Sequence, residues 1–324
     1  MGLRTVLLTL NIFFLILSSI TVSGKEKTRK LGPYTMYEQI IYPAKQQRIL
    51  YYLSHDYAQG RESGTPGAQM SAEYIRDLFE QYGLQPLYGE SFYQPFMADS
   101  TTKARNVVGI VPSSIPSDEY IIVAAHYDHL GTINGAIYNG ADDNGSGVTA
   151  LLNLADMFGT MKKTKTGPDK NIIFVALDGK EKNMAGSKHF VKNLGISTKK
   201  IKCAINLERI GTIIEPVHDN DTNFVIVLGE KTLRKADRGK ITMCNNYYNI
   251  DLDIDFTFYG SEKFTELYYQ LSDQIVFHEA GIPSLLFTSG FHKHTYKVTD
   301  DHDIISYPVL KKRTLLVFYF IMML

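Results

Sequence analysis

Short apolar runs alternate along the chain with stretches whose apolar residues recur at helical spacing. The runs are Val107 to Val111, Tyr120 to Ala125, Ile172 to Leu177, Ala204 to Leu207, Phe224 to Leu228 and Ser284 to Phe287. They are rich in valine and isoleucine and lack an apolar–polar alternation, which predicts strands covered on both faces. Gly147 to Phe158 and Ser187 to Leu194 separate some of them and read as helices. Earlier, Met70 to Tyr82 puts Ala72, Ile75, Leu78, Phe79 and Tyr82 on one helical face, with Gly83 as the stop. Residues 34 to 83 therefore predict helices interrupted by the polar loop Gly60 to Gly67. Strands alternating with helices predict an α/β three-layer sandwich, with a mostly parallel central sheet flanked by helices. No repeat, low-complexity tract or linker follows residue 30, so one domain is expected.

Both ends are unusual. Arg4 precedes an apolar stretch from Val6 to Ile20, then the small residues of Val22-Ser23-Gly24, then the charged Lys25-Glu26-Lys27. About 15 apolar residues fall short of the roughly 20 that a membrane span needs. This predicts a cleavable export signal over residues 1–24, with an uncleaved anchor as the rival reading. The mature chain, 25–324, is expected to be periplasmic or extracellular and without a membrane span. At the other end Leu315 to Leu324 is apolar throughout, as expected for the first turns of a final core helix that is cut short.

Composition narrows the function. The 34 basic residues equal the 34 acidic ones, which removes an electrostatic case for nucleic acid. The two cysteines make no disulfide framework or Cys-x-x-Cys metal pair. Cys203, inside an apolar run, reads as a buried free thiol rather than as a partner for Cys244.

Polar clusters follow the apolar runs directly. His126-Tyr127-Asp128-His129 follows one, Asp178-Gly179-Lys180-Glu181 another, and Glu208 a third, while Gly140-Ala141-Asp142-Asp143-Asn144-Gly145-Ser146-Gly147 opens a helix. Sites in α/β sheets are assembled at the carboxyl ends of strands. Alone, Asp143 reads equally well as a helix cap. Together, the four clusters bring imidazole and carboxylates to one edge, a donor set that suits zinc. Asp128 would then orient His126 from behind.

These segments, with GRESGTPGAQMSAEYIRDLFEQYGLQP before them and INLERIG, SDQIVFHEAGIPSLLFTSG and TDDHDIISY after, resemble the co-catalytic di-zinc aminopeptidases, metallopeptidase family 28. That family also includes glutaminyl cyclases and the non-catalytic transferrin-receptor ectodomain. The resemblance implies zinc held by His126, Asp143 and Glu208, with Asp143 bridging to a second ion on Glu181 and on a histidine near the C-terminus. It implies hydrolysis of N-terminal residues from peptides by metal-activated water, with a glutamate base. Ser272 and Asp273 match a motif near the substrate wall. Tyr247, Tyr248 and Tyr259 fall in the divergent segment from Asp219 to Phe264, which helps to line the specificity pocket in that family.

The chain departs from the pattern at three positions. Lys180 occupies the place of the general base. Glu208 replaces an aspartate. Tyr296 aligns with the ligand histidine, with Asp300 at the later aspartate and with His292 and His294 nearby in other registers. One zinc rather than two is expected, with the Lys180 ammonium in part of the second ion's space, neutralising Asp143 and Glu181. Three functions follow: an exported, impaired zinc aminopeptidase; a non-catalytic relative that binds a peptide or protein partner; or a glutaminyl cyclase, disfavoured because that branch keeps the positions altered here. Oligomeric state is left open.

Overall fold

A computed structural model describes residues 32–218 and 220–324. The expected export signal, 1–24, lies outside the described residues. Helices α1 (Pro43–Ser54) and α2 (Pro66–Tyr82) come first, each with proline in its first turn, where the missing N–H costs nothing. The Thr65 side chain caps α2, and Gly83, at φ 84°, ends it. Strands β1 (Gln85–Pro86), β2 (Tyr93–Met97), β3 (Lys103–Val111) and β4 (Tyr120–His126) follow, then a hairpin of β5 (Gly131–Ile133) and β6 (Ala136–Tyr138). Helix α3 (Gly147–Lys163), β7 (Asn171–Leu177), α4 (Ala185–Lys192) and β8 (Ile201–Leu207) complete the first half. The second half runs β9 (Phe224–Leu228), α5 (Lys240–Tyr247), β10 (Asp253–Asp255), α6 (Glu262–Tyr269), α7 (Gln274–Glu279), β11 (Ser284–Thr288) and α8 (Tyr307–Met323).

The nine-stranded sheet has the order β1-β3-β7-β4-β8-β11-β9-β10, with β2 also on β3. Its centre, β7-β4-β8-β11, is parallel, as expected, but the flanking β3 and β9 run antiparallel to their inner neighbours. The sheet is therefore mixed, and its parallel part is the part that carries the chemistry.

Strand residues separate by parity. In β7, Ile172, Phe174 and Ala176 face the larger core under α1, α2, α3 and α8, whereas Ile173, Val175 and Leu177 face Phe190 of α4 and Phe277 of α7. Two buried faces explain why the strands read as continuous apolar runs. Both cysteines are free and buried, as Cys203 was expected to be.

The terminal apolar run is the second half of α8, not its first turns. That helix begins at Tyr307, and its side chains from Arg313 to Ile321 are all buried. Among the described residues no helix is long and apolar enough to cross a membrane.

Candidate metal centre

The carboxyl ends of β4, β7 and β8 lie side by side in the sheet, and the loops that leave them converge. His126 ends β4, Lys180 and Glu181 follow β7, and Glu208 follows β8. Asp143 comes from the turn Ala141–Ser146 that leads into α3. Two glycines permit the approach. A Cβ on Gly140, at φ 56°, would meet the Asp143 carbonyl oxygen at 2.3 Å. One on Gly147 would meet the Leu207 carbonyl oxygen at 2.4 Å, so the start of α3 rests directly on the end of β8.

Asn144 ties the strand ends together. Its Nδ2 donates to the Leu207 carbonyl at 2.8 Å and to that of His126 at 3.2 Å, and its Oδ1 accepts the Arg209 and Gly147 N–H groups. Asp300 accepts the N–H groups of Asp142 and Asp143 at 2.8 and 3.0 Å, which fixes the turn from the far side. Burial, then the neighbouring Asp142 carboxylate, pushes the Asp300 carboxyl up to about 7.

His126, Asp143 and Glu208 are buried and offer ligand atoms within 4.8 Å of one another, the one group among the described residues that could hold a metal ion. The His126 Nδ1–H donates to the Asp128 carbonyl oxygen at 3.1 Å, which leaves Nε2 facing Asp143 Oδ1 at 3.5 Å. Asp128 thus orients His126 through its backbone. Its carboxylate lies 3.7 Å from Nδ1 and instead accepts the Lys180 and Glu181 N–H groups, each at 3.0 Å. That carboxylate positions the loop after β7.

Lys180 Nζ donates to Glu181 Oε1 at 2.9 Å and lies 3.9 Å from Glu208 Oε1. Burial pulls its pKa down, but the Glu208, Asp143 and Glu181 carboxylates outweigh this and raise it well above the usual range. Those carboxylates favour its charged, ammonium form. Tyr296 reaches the rim, its hydroxyl 3.4 Å from Lys180 Nζ and its ring stacked over His129. His294 points away and bonds Thr299, while His292 is buried against Asp142 at 3.1 Å, so neither replaces the missing ligand.

Ser272 and Asp273 are both buried. The Ser272 hydroxyl donates to Glu208 Oε2, and Asp273 accepts from Ser187 Oγ at 2.6 Å. Tyr248 stacks on Tyr319 of α8, and Tyr247 packs beside Tyr248; Tyr259 bonds the Glu215 carbonyl.

The sequence reading passed over Arg209. Its guanidinium, buried, donates from Nη1 to Asp143 Oδ2 at 3.0 Å and pairs through Nη2 with Glu208 Oε1 at 2.6 Å. Nη2 also donates to the Tyr268 hydroxyl at 2.7 Å, and the group lies over the Phe291 ring. Burial opposes charge on Asp143 and Glu208, but Arg209 first and Lys180 next hold both carboxyls below their usual range. The only signal in the sequence was a cation adjoining a strand-end acid.

Zinc fits this arrangement in part. His126 Nε2 and Asp143 Oδ1 are buried without a hydrogen-bond partner, as unfilled ligand positions would be. The other oxygens are taken: Asp143 Oδ2 and Glu208 Oε1 by Arg209, and Glu208 Oε2 by Ser272. Two open donors are half of a four-coordinate zinc site. The residues as they stand do not fit the two-ion centre.

Peptidase family M28 matches residues 106–321. The chain belongs to this family. Aminopeptidase YwaD of Bacillus subtilis is 28% identical over 225 residues, 64% of this chain and 42% of that protein. The chain spans less than half the length of such curated relatives. BSAP, a zinc aminopeptidase from Bacillus subtilis, superposes with a TM-score of 0.66 at 16% identity over 86% of this M28 chain and 94% of BSAP. A glutaminyl cyclase from Fimbriiglobus ruber gives 0.69 at 18% identity over 88% and 96%. These likenesses establish a zinc-aminopeptidase fold.

Proposed function

We propose that this chain is an exported M28 protein that does not hydrolyse peptides and that holds a peptide or protein partner. One observation carries the reading: the group at the general-base position is the Lys180 ammonium, ion-paired with Glu181 at 2.9 Å. Removing a general base lowers rates by about 10²–10⁴-fold, and here its replacement is a cation that carboxylates keep charged. A binding role is supported by α6. Its Tyr268 reaches inward to Arg209, while Phe264, Leu267 and the following Leu271 are 61%, 56% and 53% exposed. Exposed apolar side chains close together on one helix mark a surface that a bound partner would cover. Export rests on the N-terminal pattern and places the partner in the periplasm or outside the cell.

The test is hydrolysis of a panel of amino-acid p-nitroanilides by the purified mature chain in added zinc. Rates at the buffer baseline are expected; zinc-dependent turnover removed by His126→Ala would refute the proposal. A single-zinc aminopeptidase is the second reading, favoured by the unpartnered His126 Nε2 and Asp143 Oδ1. Under that reading the chain carries one zinc, and His126→Ala loses it.

A further inference from the structure

We infer that this chain supplies from its own side chains the positive charge that zinc brings to its relatives: Arg209 and Lys180 take up the carboxylates, and the folded protein is metal-free. The inference deepens the non-catalytic reading and rests on it for the assignment of the site. Asp143 and Glu208 together have four oxygens, and Asp143 Oδ1 alone has no hydrogen-bond partner. Arg209 spans the two carboxylates with both arms of its fork, a geometry that point charges do not reproduce. Lys180 covers Glu181 and the outer side of Glu208.

The Arg209 guanidinium cannot lose its proton to make way for a cation. An ion at His126 and Asp143 would lie beside this fixed positive group in a buried setting, where repulsion is weakly screened. Expelling Arg209 would break its bond to Tyr268 and empty its seat over Phe291, 4.7 Å from the ring. The side chain is also buried, held by its contacts with Asp143, Glu208 and Tyr268. Three carboxylates gathered without a cation would repel one another. With Arg209 and Lys180 among them, the same cluster is compensated as the chain folds.

The experiment compares the wild-type chain with Arg209→Met/Lys180→Glu, which frees the carboxylate oxygens and restores an acid after β7. Each is purified, dialysed against trace zinc, analysed by inductively coupled plasma mass spectrometry, and melted with zinc or with EDTA. The wild type is expected to carry no stoichiometric zinc and to melt at the same temperature in both. The double variant is expected to take up about one zinc or more per chain and to melt higher with zinc, because an ion that binds only the folded state stabilises it. Stoichiometric zinc in the wild type, or a zinc-dependent rise in its melting temperature, overturns the inference. So does a folded double variant that binds no zinc. If the double variant does not fold, the wild-type metal content and melting decide the matter. Zinc without turnover in the wild type sinks this inference alone, turnover without zinc sinks the non-catalytic reading alone, and both together sink both.

Discussion

Arg61 shows how a single buried cation organises this edge of the sheet. Its Nε donates to the Tyr127 carbonyl at 2.7 Å, and its Nη atoms donate to the carbonyls of Leu53, Asn139 and Gly140. One side chain therefore joins the end of α1, the loop after β4 and the approach to Asp143. Burial lowers its pKa to about 10, so it stays charged at neutral pH. Arg61→Ala would leave buried carbonyls unpaired and is expected to cost about 3 kcal/mol or more. Arg61→Lys should recover little, because an ammonium cannot reach four acceptors spread around a planar fork. Urea denaturation of both variants checks this; a loss under about 1 kcal/mol would mean the network relaxes. The same reasoning explains which site residues could be read in advance. His126 and Glu208 were legible because each follows an apolar run, and Asp143 because its glycine- and aspartate-rich cluster opens a helix. Arg209 was not, because a cation after a strand ordinarily faces solvent, and its acceptors Asp143 and Tyr268 lie far away in sequence. Asp128 was legible as a partner of His126, but order along the chain does not show that its carbonyl, at 3.1 Å, lies closer to Nδ1 than its carboxylate, at 3.7 Å.

At the scale of elements, the parallel strands and their helices were legible because burial on both faces leaves a direct mark on composition. Strands β2 and β10 and helices α5 and α6 were not, since short edge elements carry mixed polarity. The first half of α8 was missed because Lys311, Lys312 and Arg313 hide it, although Arg313 is buried and donates to the carbonyls of Phe224, Ile210 and Thr212. Leu316 and Phe318 of α8 are fully buried in the larger core. Phe318→Ala should cost about 3–5 kcal/mol by opening a cavity beside Phe158, measured as a shift in denaturation midpoint. A shift near zero would mean that α8 is only loosely docked. The turn carrying Asp143 makes a pH prediction. With its carboxyl raised to about 7, folded Asp300 keeps a proton that the unfolded chain has lost above pH ~4. Its contribution to stability is therefore present at low pH and is lost as pH rises through about 7. Asp300→Asn should flatten this part of the stability profile; an unchanged slope between about pH 4 and 7 would assign the effect elsewhere.

The whole molecule is an M28 sandwich whose strand-end centre is charge-compensated from within. The carboxylates Asp143, Glu181 and Glu208 face the Lys180 ammonium and the Arg209 guanidinium. The fold is retained, while one oxygen each of Asp143, Glu181 and Glu208 serves an ion pair with Lys180 or Arg209. Leucine p-nitroanilide hydrolysis by the purified mature chain, with zinc in excess, tests this account most directly. The account predicts release of p-nitroaniline no faster than in buffer. Turnover abolished by EDTA and by His126→Ala would contradict it and restore the chain to the working peptidases.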